Sequence, residues 1–333
     1  MCFSYGAHAM LRPPSRLPWT PSQARNLNRN PKPEWRASIQ RAAHWIRKKR
    51  VKKEEGSPHS GLLPAGFSAE HLGPNDFYYW DDFWSIAGLR SAARLMRLYG
   101  ETQEADGFER EAQDLMQCVE LSLEHAQNRL GHTSMPASPT RRMDAGAIGS
   151  LAAGYPLQLW PAQDPRPLAT ARYLTRNCYL KGAFYQEISH SGMNAYLTLH
   201  VAQVLLRAGD PAFLDAVNAV AAIASPTGQW PEAVHPLTGG GCMGDGQHVW
   251  AAAEWVLMLR NMFVREDGDN LVLCQGIPQA WLKKGQKILF GPTQTSFGPV
   301  TVTIHCEETP RVSWKADWHH APASIEVKLG EAK

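Results

Sequence analysis

The sequence lacks a strong charge of either sign: 34 Lys and Arg stand against 31 Asp and Glu, largely interspersed, for a formal net charge of +3. That balance gives no field to hold nucleic acid or a membrane surface. No stretch has the length and freedom from charge of a membrane span. The opening MCFSYGAHAMLRPPSR also lacks a basic segment followed by an apolar one, so a cytoplasmic chain is expected. The six cysteines, at 2, 118, 178, 242, 274 and 306, show no CxxC spacing. In a chain of 333 residues, large enough to need no staples, they read as free thiols. His59, His71, His190, His235 and His248 fit no metal-ligand spacing, and no metal or cofactor is expected. A phosphate-binding glycine loop is absent, because GGGCMGDG follows no strand, and the esterase pentapeptide GxSxG is absent too. Ser191 beside His190 has no orienting acid nearby in sequence and makes a weak nucleophile.

What is present is a globular composition, 44% hydrophobic and 20% charged, with twelve Trp and nine Tyr. Sugar rings stack their C–H faces on aromatic planes, so this content leans towards carbohydrate, although a core would also use it. Residues 1–35 carry Pro13, Pro14, Pro18, Pro21, Pro31 and Pro33 among Arg and Asn and are expected to form a disordered tail. A helix is expected at 36–50, ending in the cationic RKKRVKK, which complements the helix dipole better than it argues for nuclear targeting. The Gly-, Pro- and His-rich stretch 56–79 is too long for a mere connection and reads as a candidate functional loop.

Helical periodicity then recurs at 84–99, through 108–130, at 142–153, 166–178, 191–208, 211–224 and 248–263. The segment HVWAAAEWVLMLRNMF at 248–263 is apolar nearly all round, which predicts a helix buried on every side. Alternation of one-sided and all-round apolar helices suits stacked αα-hairpins with buried inner and solvated outer helices. After Asp269 the period becomes two, in Leu271 and Leu273, Val300, Val302 and Ile304, and Ile325, Val327 and Leu329, which predicts a small β-sandwich-like segment over 268–333.

Two acidic positions stand out, each wrapped in aromatics and placed in a loop that feeds a helix: Asp81 with Asp82 in YYWDDFW, and Glu232 in GQWPEAVHP. Hydrolysis of an acetal needs a protonated acid at the leaving oxygen and a second carboxylate to activate water or attack the anomeric carbon. Apolar walls such as Trp80, Phe83 and Trp230 would raise an acid towards the working pH. The bland alternatives are a helix N-cap for Asp82 and a plain surface carboxylate for Glu232. Asp245 reads as a cap of the last helix, and the glycine run before it argues for close approach of backbone to something.

On these residues the sequence resembles the six-hairpin glycosidases, the superfamily of glucoamylases, trehalases, α-L-rhamnosidases and maltose-type phosphorylases. Trp80-Asp81-Asp82 stands where glucoamylases place Trp-Glu-Glu ahead of an inner helix, and GQWPEAVHPLTGGGCMGDGQHVWAAAEWV resembles the loop and last inner helix that carry their general base. The resemblance implies a mainly α chain, an incomplete (α/α)6 toroid over 36–265 with a small C-terminal β-domain, truncated at its N-terminus by the family's first four helices. It also implies an inverting glycoside hydrolase with Asp81 as acid, Asp82 as alternative acid and Glu232 as base. The residues expected to contact the sugar are Tyr79, Trp80, Trp84, His190, Asn194, Trp230, His235, His248 and Trp250. Asp in place of Glu at the acid position keeps the substrate from being copied from glucoamylase.

A carbohydrate is thus the expected partner. Three other readings stay open: an inactive or sugar-binding remnant, a lyase or epimerase using His190, His235 or Tyr185, and a phosphorylase. The last is disfavoured by Glu where basic residues would hold phosphate.

Overall fold

The computed structural model describes residues 31–67, 74–187, 191–244 and 246–330. The chain is mainly α with a C-terminal β region and divides into two compact units. One holds the chain up to Leu159 plus Pro165–Thr170, and the other holds Trp160–Asp164 plus Ala171 onward. The tail expected at 1–35 lies almost wholly outside the described residues.

In the first unit, α1 (Trp35–Lys49) ends in Arg47, Lys48 and Lys49, so its cations meet the negative end of the helix dipole. Helix α2 (Tyr79–Leu98) and the long α3 (Thr102–Leu130) form an αα-hairpin. Helix α3 is one-sided: Phe108, Ala112, Leu115, Val119 and Leu123 are buried on one stripe, as their three- and four-residue spacing requires. The first half of α2 is buried on all sides from Phe83 to Leu89. The helical stretch expected at 142–153 is a 3-10 helix, Ala145–Ala153, with the Asp144 side chain accepting from the Gly146 N–H.

The loop at 56–79 is fastened at several points. Val51 N–H bonds the Leu62 carbonyl at 2.8 Å, and Arg50 reaches the Gly61 carbonyl at 2.7 Å. The same guanidinium pairs with Glu111 and Asp114 on α3 at 2.6 and 2.8 Å.

Helix α4 (Pro165–Asn177) begins in the first unit and continues in the second. In the second unit, α5 (Ala195–Ala208) packs against both α6 (Phe213–Ala222) and α7 (Val249–Phe263). The expected burial pattern is exchanged between α5 and α7. Every residue of α5 from Ala195 to Arg207 is buried, whereas α7 leaves Val249 and Val256 at 79% and 64% exposure. The sequence disguised α5 because its polar residues find partners inside. His200 Nε2 lies 3.5 Å from Glu254 Oε1, Gln203 accepts from Asn261 at 2.9 Å, and Arg207 pairs with Asp267 at 3.0 Å.

Five short strands form a sheet in chain order: β1 (Tyr179–Leu180), β2 (Ala183–Gln186), β3 (Gly192–Met193), β4 (Ala233–Val234) and β5 (Gly241–Met243). The remaining strands make two three-stranded sheets. Antiparallel β8 (Lys287–Gln294), β9 (Pro299–His305) and β10 (Arg311–Ala316) form one, while β6 (Val264–Asp267), β7 (Asn270–Leu273) and β11 (Ser324–Val327) form the other, with β11 parallel to β7. Both sheets feed one core that includes Leu271, Leu273, Val300, Val302 and Ile304, the residues whose alternation announced the strands.

Candidate active site

Asp81 and Asp82 do not lie in a loop ahead of a helix, as expected, but in the first turn of α2, which opens at Tyr79 rather than Trp84. Tyr78 is the N-cap residue, in extended conformation and without a side-chain cap, so the usual Ser, Thr, Asp or Asn signal is missing. Two carboxyl groups in a first turn complement the positive end of the helix dipole. Asp81 is half-buried, and burial pushes its carboxyl up to about 6. Three residues on, Trp84 packs with Trp80 and Tyr78, the two indoles 5.4 Å apart.

Asp82 is not a helix cap either. Its Oδ1 accepts the Leu63 N–H at 2.9 Å, and burial drives its carboxyl well above the ordinary range against the lowering effect of that hydrogen bond. Beside this turn the Tyr78 hydroxyl donates to the Pro74 carbonyl at 2.7 Å, and the Arg141 guanidinium lies 5.3 Å from the Tyr78 ring. Arg141 is itself paired with Asp76 at 3.1 Å.

In the second unit Glu232 is half-buried and follows Pro231 at the entrance to β4. The segment is clamped from both sides. Trp230 Nε1–H donates to the Val220 carbonyl at the end of α6, and the Trp230 carbonyl accepts the His248 N–H at the start of α7, each at 2.8 Å. His248 is the N-cap residue of α7, its ring 5.0 Å from that of Tyr196. Trp250, half-buried, stacks on Tyr196 with ring centroids 4.5 Å apart and an interplanar angle of 26°.

No family model matches the chain, and no curated protein sequence does. Among solved structures it is similar to the GH78 family rhamnosidase of Bacillus sp. GL1, at a TM-score of 0.51 and 16% identity over 94% of this chain and 33% of that one. A bacterial glucoamylase complexed with acarbose gives 0.49 and 15%, over 72% of this chain and 40% of the other. A wild-type glycosidase gives 0.46 and 14%, over 78% and 86%. This chain therefore spans well under half the length of the rhamnosidase and glucoamylase chains it resembles.

The chain is similar in fold to the GH78 family rhamnosidase.

The residues expected to contact a sugar separate into two groups. Tyr79 is withdrawn from the site: its ring is fully buried and its hydroxyl sits 2.9 Å from Ser122 Oγ on α3, because the helix turn that exposes Asp81 sends Tyr79 into the hairpin core. Asn194 is also withdrawn. It is buried as the N-cap of α5, its side chain accepting the Leu197 N–H at 3.0 Å. Trp80, Trp84 and Trp230 are buried to within a small fraction of their surface, Trp230 lying against Trp255 with centroids 5.4 Å apart. None of the three offers an open ring face.

His235 turns its Nδ1 towards the N–H groups of Leu237 and Thr238, at 3.3 and 3.2 Å, and so shapes the β4–β5 turn. His190 lies outside the described residues. An open groove of about 560 Å³ between residues 53–60 and the Cys118, Leu121 and His125 side of α3 includes none of the expected site residues.

Three further residues group with Trp250: Tyr196, His200 and Glu254. Tyr196 with His200 on α5, and Trp250 with Glu254 on α7, are each four apart and so share one helix face. That spacing was visible in the sequence. Only the pairing of the two helices turns it into an aromatic layer over a buried His–Glu layer.

Proposed function

We propose that this chain is a glycoside hydrolase acting on an oligosaccharide or glycoside by an inverting two-carboxylate mechanism, with Asp81 as general acid and Glu232 as general base. The observation that carries the reading is Asp81 itself. A carboxyl half-buried in the first turn of α2 and held at about 6 keeps a usable fraction of its protons near neutral pH, as protonation of a leaving glycosidic oxygen requires. Asp82 cannot do this from where it lies, since it is sealed from solvent and bonded to the Leu63 N–H.

In the proposed cycle Asp81 gives its proton to the departing oxygen while Glu232 takes one from a water, which attacks the anomeric carbon from the opposite face. The water's second proton remains on the new anomeric hydroxyl, and Glu232 then returns its proton to solvent as Asp81 is recharged. The half-buried Trp250, backed by Tyr196, offers its remaining ring surface to the apolar face of a sugar.

The test is a panel of 4-nitrophenyl glycosides offered to the wild type, Asp81→Asn and Glu232→Gln. Each substitution is expected to lower turnover at least about 100-fold with the fold intact. Sugar binding without turnover in the wild type would replace hydrolysis by a binding role. A variant that retains full turnover would remove its residue from the mechanism.

A further inference from the structure

In the sequence GGGCMGDG, residues 239–246, the described glycines differ in what their bare backbone approaches. Two of its glycines, Gly241 and Gly244, together with Gly192 of β3, meet the four residues Pro231–Val234. A Cβ on Gly241 would stand 3.0 Å from Pro231 Cβ. On Gly192 of β3 it would stand 2.8 Å from Ala233 Cβ and 3.2 Å from the Val234 carbonyl oxygen. On Gly244 it would stand 2.8 Å from Glu232 Cβ and 2.9 Å from Glu232 Oε2. Such separations lie inside van der Waals contact, so a side chain at any of the three positions must displace its neighbour. Pairing of β4 with both β3 and β5 fixes the approach, through Met193 opposite Val234 and Met243 opposite Ala233. Gly244 also has φ +67°, a left-handed conformation that glycine adopts without cost.

We propose that this glycine-rich hairpin is a mould for Glu232, in which Gly244 is a positioning residue that sets where the carboxylate stands. The inference rests on the reading of Glu232 as the base and deepens it. The atom that Gly244 leaves room for is the carboxylate oxygen itself, and a base displaced by about 1 Å loses its line to the attacking water. Gly241 and Gly244 are thereby assigned to holding the Glu232 segment, whereas Gly239, with nothing within 4 Å of its Cβ, is not.

The test separates contact from backbone strain. Gly244→Ala adds both, Gly244→Asn adds the Cβ in a residue that tolerates left-handed backbone, and Gly239→Ala adds strain alone, since Gly239 has φ +71° and nothing within 4 Å of its Cβ. On the 4-nitrophenyl glycoside the wild type cleaves fastest, both Gly244 variants are expected to lose about 100-fold in kcat with little change in KM, while Gly239→Ala stays within about twofold.

In a Glu232→Gln background the Gly244 substitution is expected to add no further loss. A full additional loss there, or equal losses in Gly239→Ala and Gly244→Asn, would overturn the proposal. Crystal structures decide it independently of turnover: the Glu232 carboxylate is expected to move by about 1 Å or more in Gly244→Asn. An unmoved carboxylate overturns the mould. Full turnover in Glu232→Gln would instead dismiss Glu232 as base and leave the structural comparison standing.

Discussion

Asp82 Oδ1 accepts the backbone N–H of Leu63 at 2.9 Å, while Oδ2 of the same carboxyl is buried with no hydrogen-bond partner among the described residues. An ionised carboxylate in that position would hold a charge with one bond to satisfy it, so the group is held in its neutral form, with Asp81 one residue away adding to the same effect.

The sign of the resulting pH dependence follows from linkage. Asp82 binds its proton more tightly folded than unfolded, so its contribution to stability is complete below the unfolded value and is lost as pH rises towards the folded one. Asp82→Asn, always neutral and able to accept from Leu63, is expected to melt at higher temperature than wild type at pH 8, with the gap closing towards pH 4. Asp82→Ala leaves the Leu63 N–H unsatisfied and is expected to cost about 1–3 kcal/mol. Thermal melts across pH decide the matter; an Asn variant less stable than wild type at pH 8 would contradict a neutral Asp82.

Asp81 makes a kinetic prediction of the same origin. Burial holds it at about 6, and a general acid works only while protonated, so kcat/KM is expected to fall on the alkaline side with a midpoint near that value. In Asp81→Asn the residual rate should lose this limb. A glycoside with an activated 4-nitrophenol leaving group needs less proton assistance, so the defect should be smaller there than on an alkyl glycoside. Equal defects on both would count against Asp81 as the acid.

Tyr79 separates packing from chemistry. Its hydroxyl meets Ser122, which in turn donates to the Pro58 carbonyl at 2.6 Å, tying α2, α3 and the loop together. Tyr79→Phe is expected to destabilise by about 1 kcal/mol, the net worth of one hydrogen bond, without altering KM for any sugar. A raised KM with unchanged melting temperature would restore Tyr79 as a sugar contact.

Legibility from sequence followed the length of the signal. The stripe from Phe108 to Leu123 runs through enough turns to fix α3, and Val300, Val302 and Ile304 fix β9 by alternation. The start of α2 was misplaced because Tyr78 caps it without a side-chain bond. Strands β1 to β5 were missed because two to four residues carry no readable period. Asp81 and Glu232 stand out as candidates by their aromatic neighbours in the sequence. The partners of Asp82, Asn194 and Glu232 do not, since Leu63, Leu197 and Gly244 meet them only through the fold.

The stereochemical outcome tests the mechanism most directly. An inverting route places water between base and anomeric carbon, which requires the two carboxyl groups about 6.5–9.5 Å apart, whereas a retaining route brings them to about 5–5.5 Å and passes through a covalent glycosyl-enzyme. On the inverting route the first-formed sugar should carry the anomeric configuration opposite to that of the substrate, which proton NMR of the anomeric signal reads within minutes of mixing, before mutarotation equalises the anomers. No glycosyl adduct on Glu232 should accumulate with a 2-fluoro glycoside, and intact mass spectrometry would register one if it did. Retained configuration together with such an adduct would make Glu232 a nucleophile, with Asp81 still protonating the leaving oxygen. Retained configuration without any adduct on Glu232 would remove Glu232 from the reacting pair altogether.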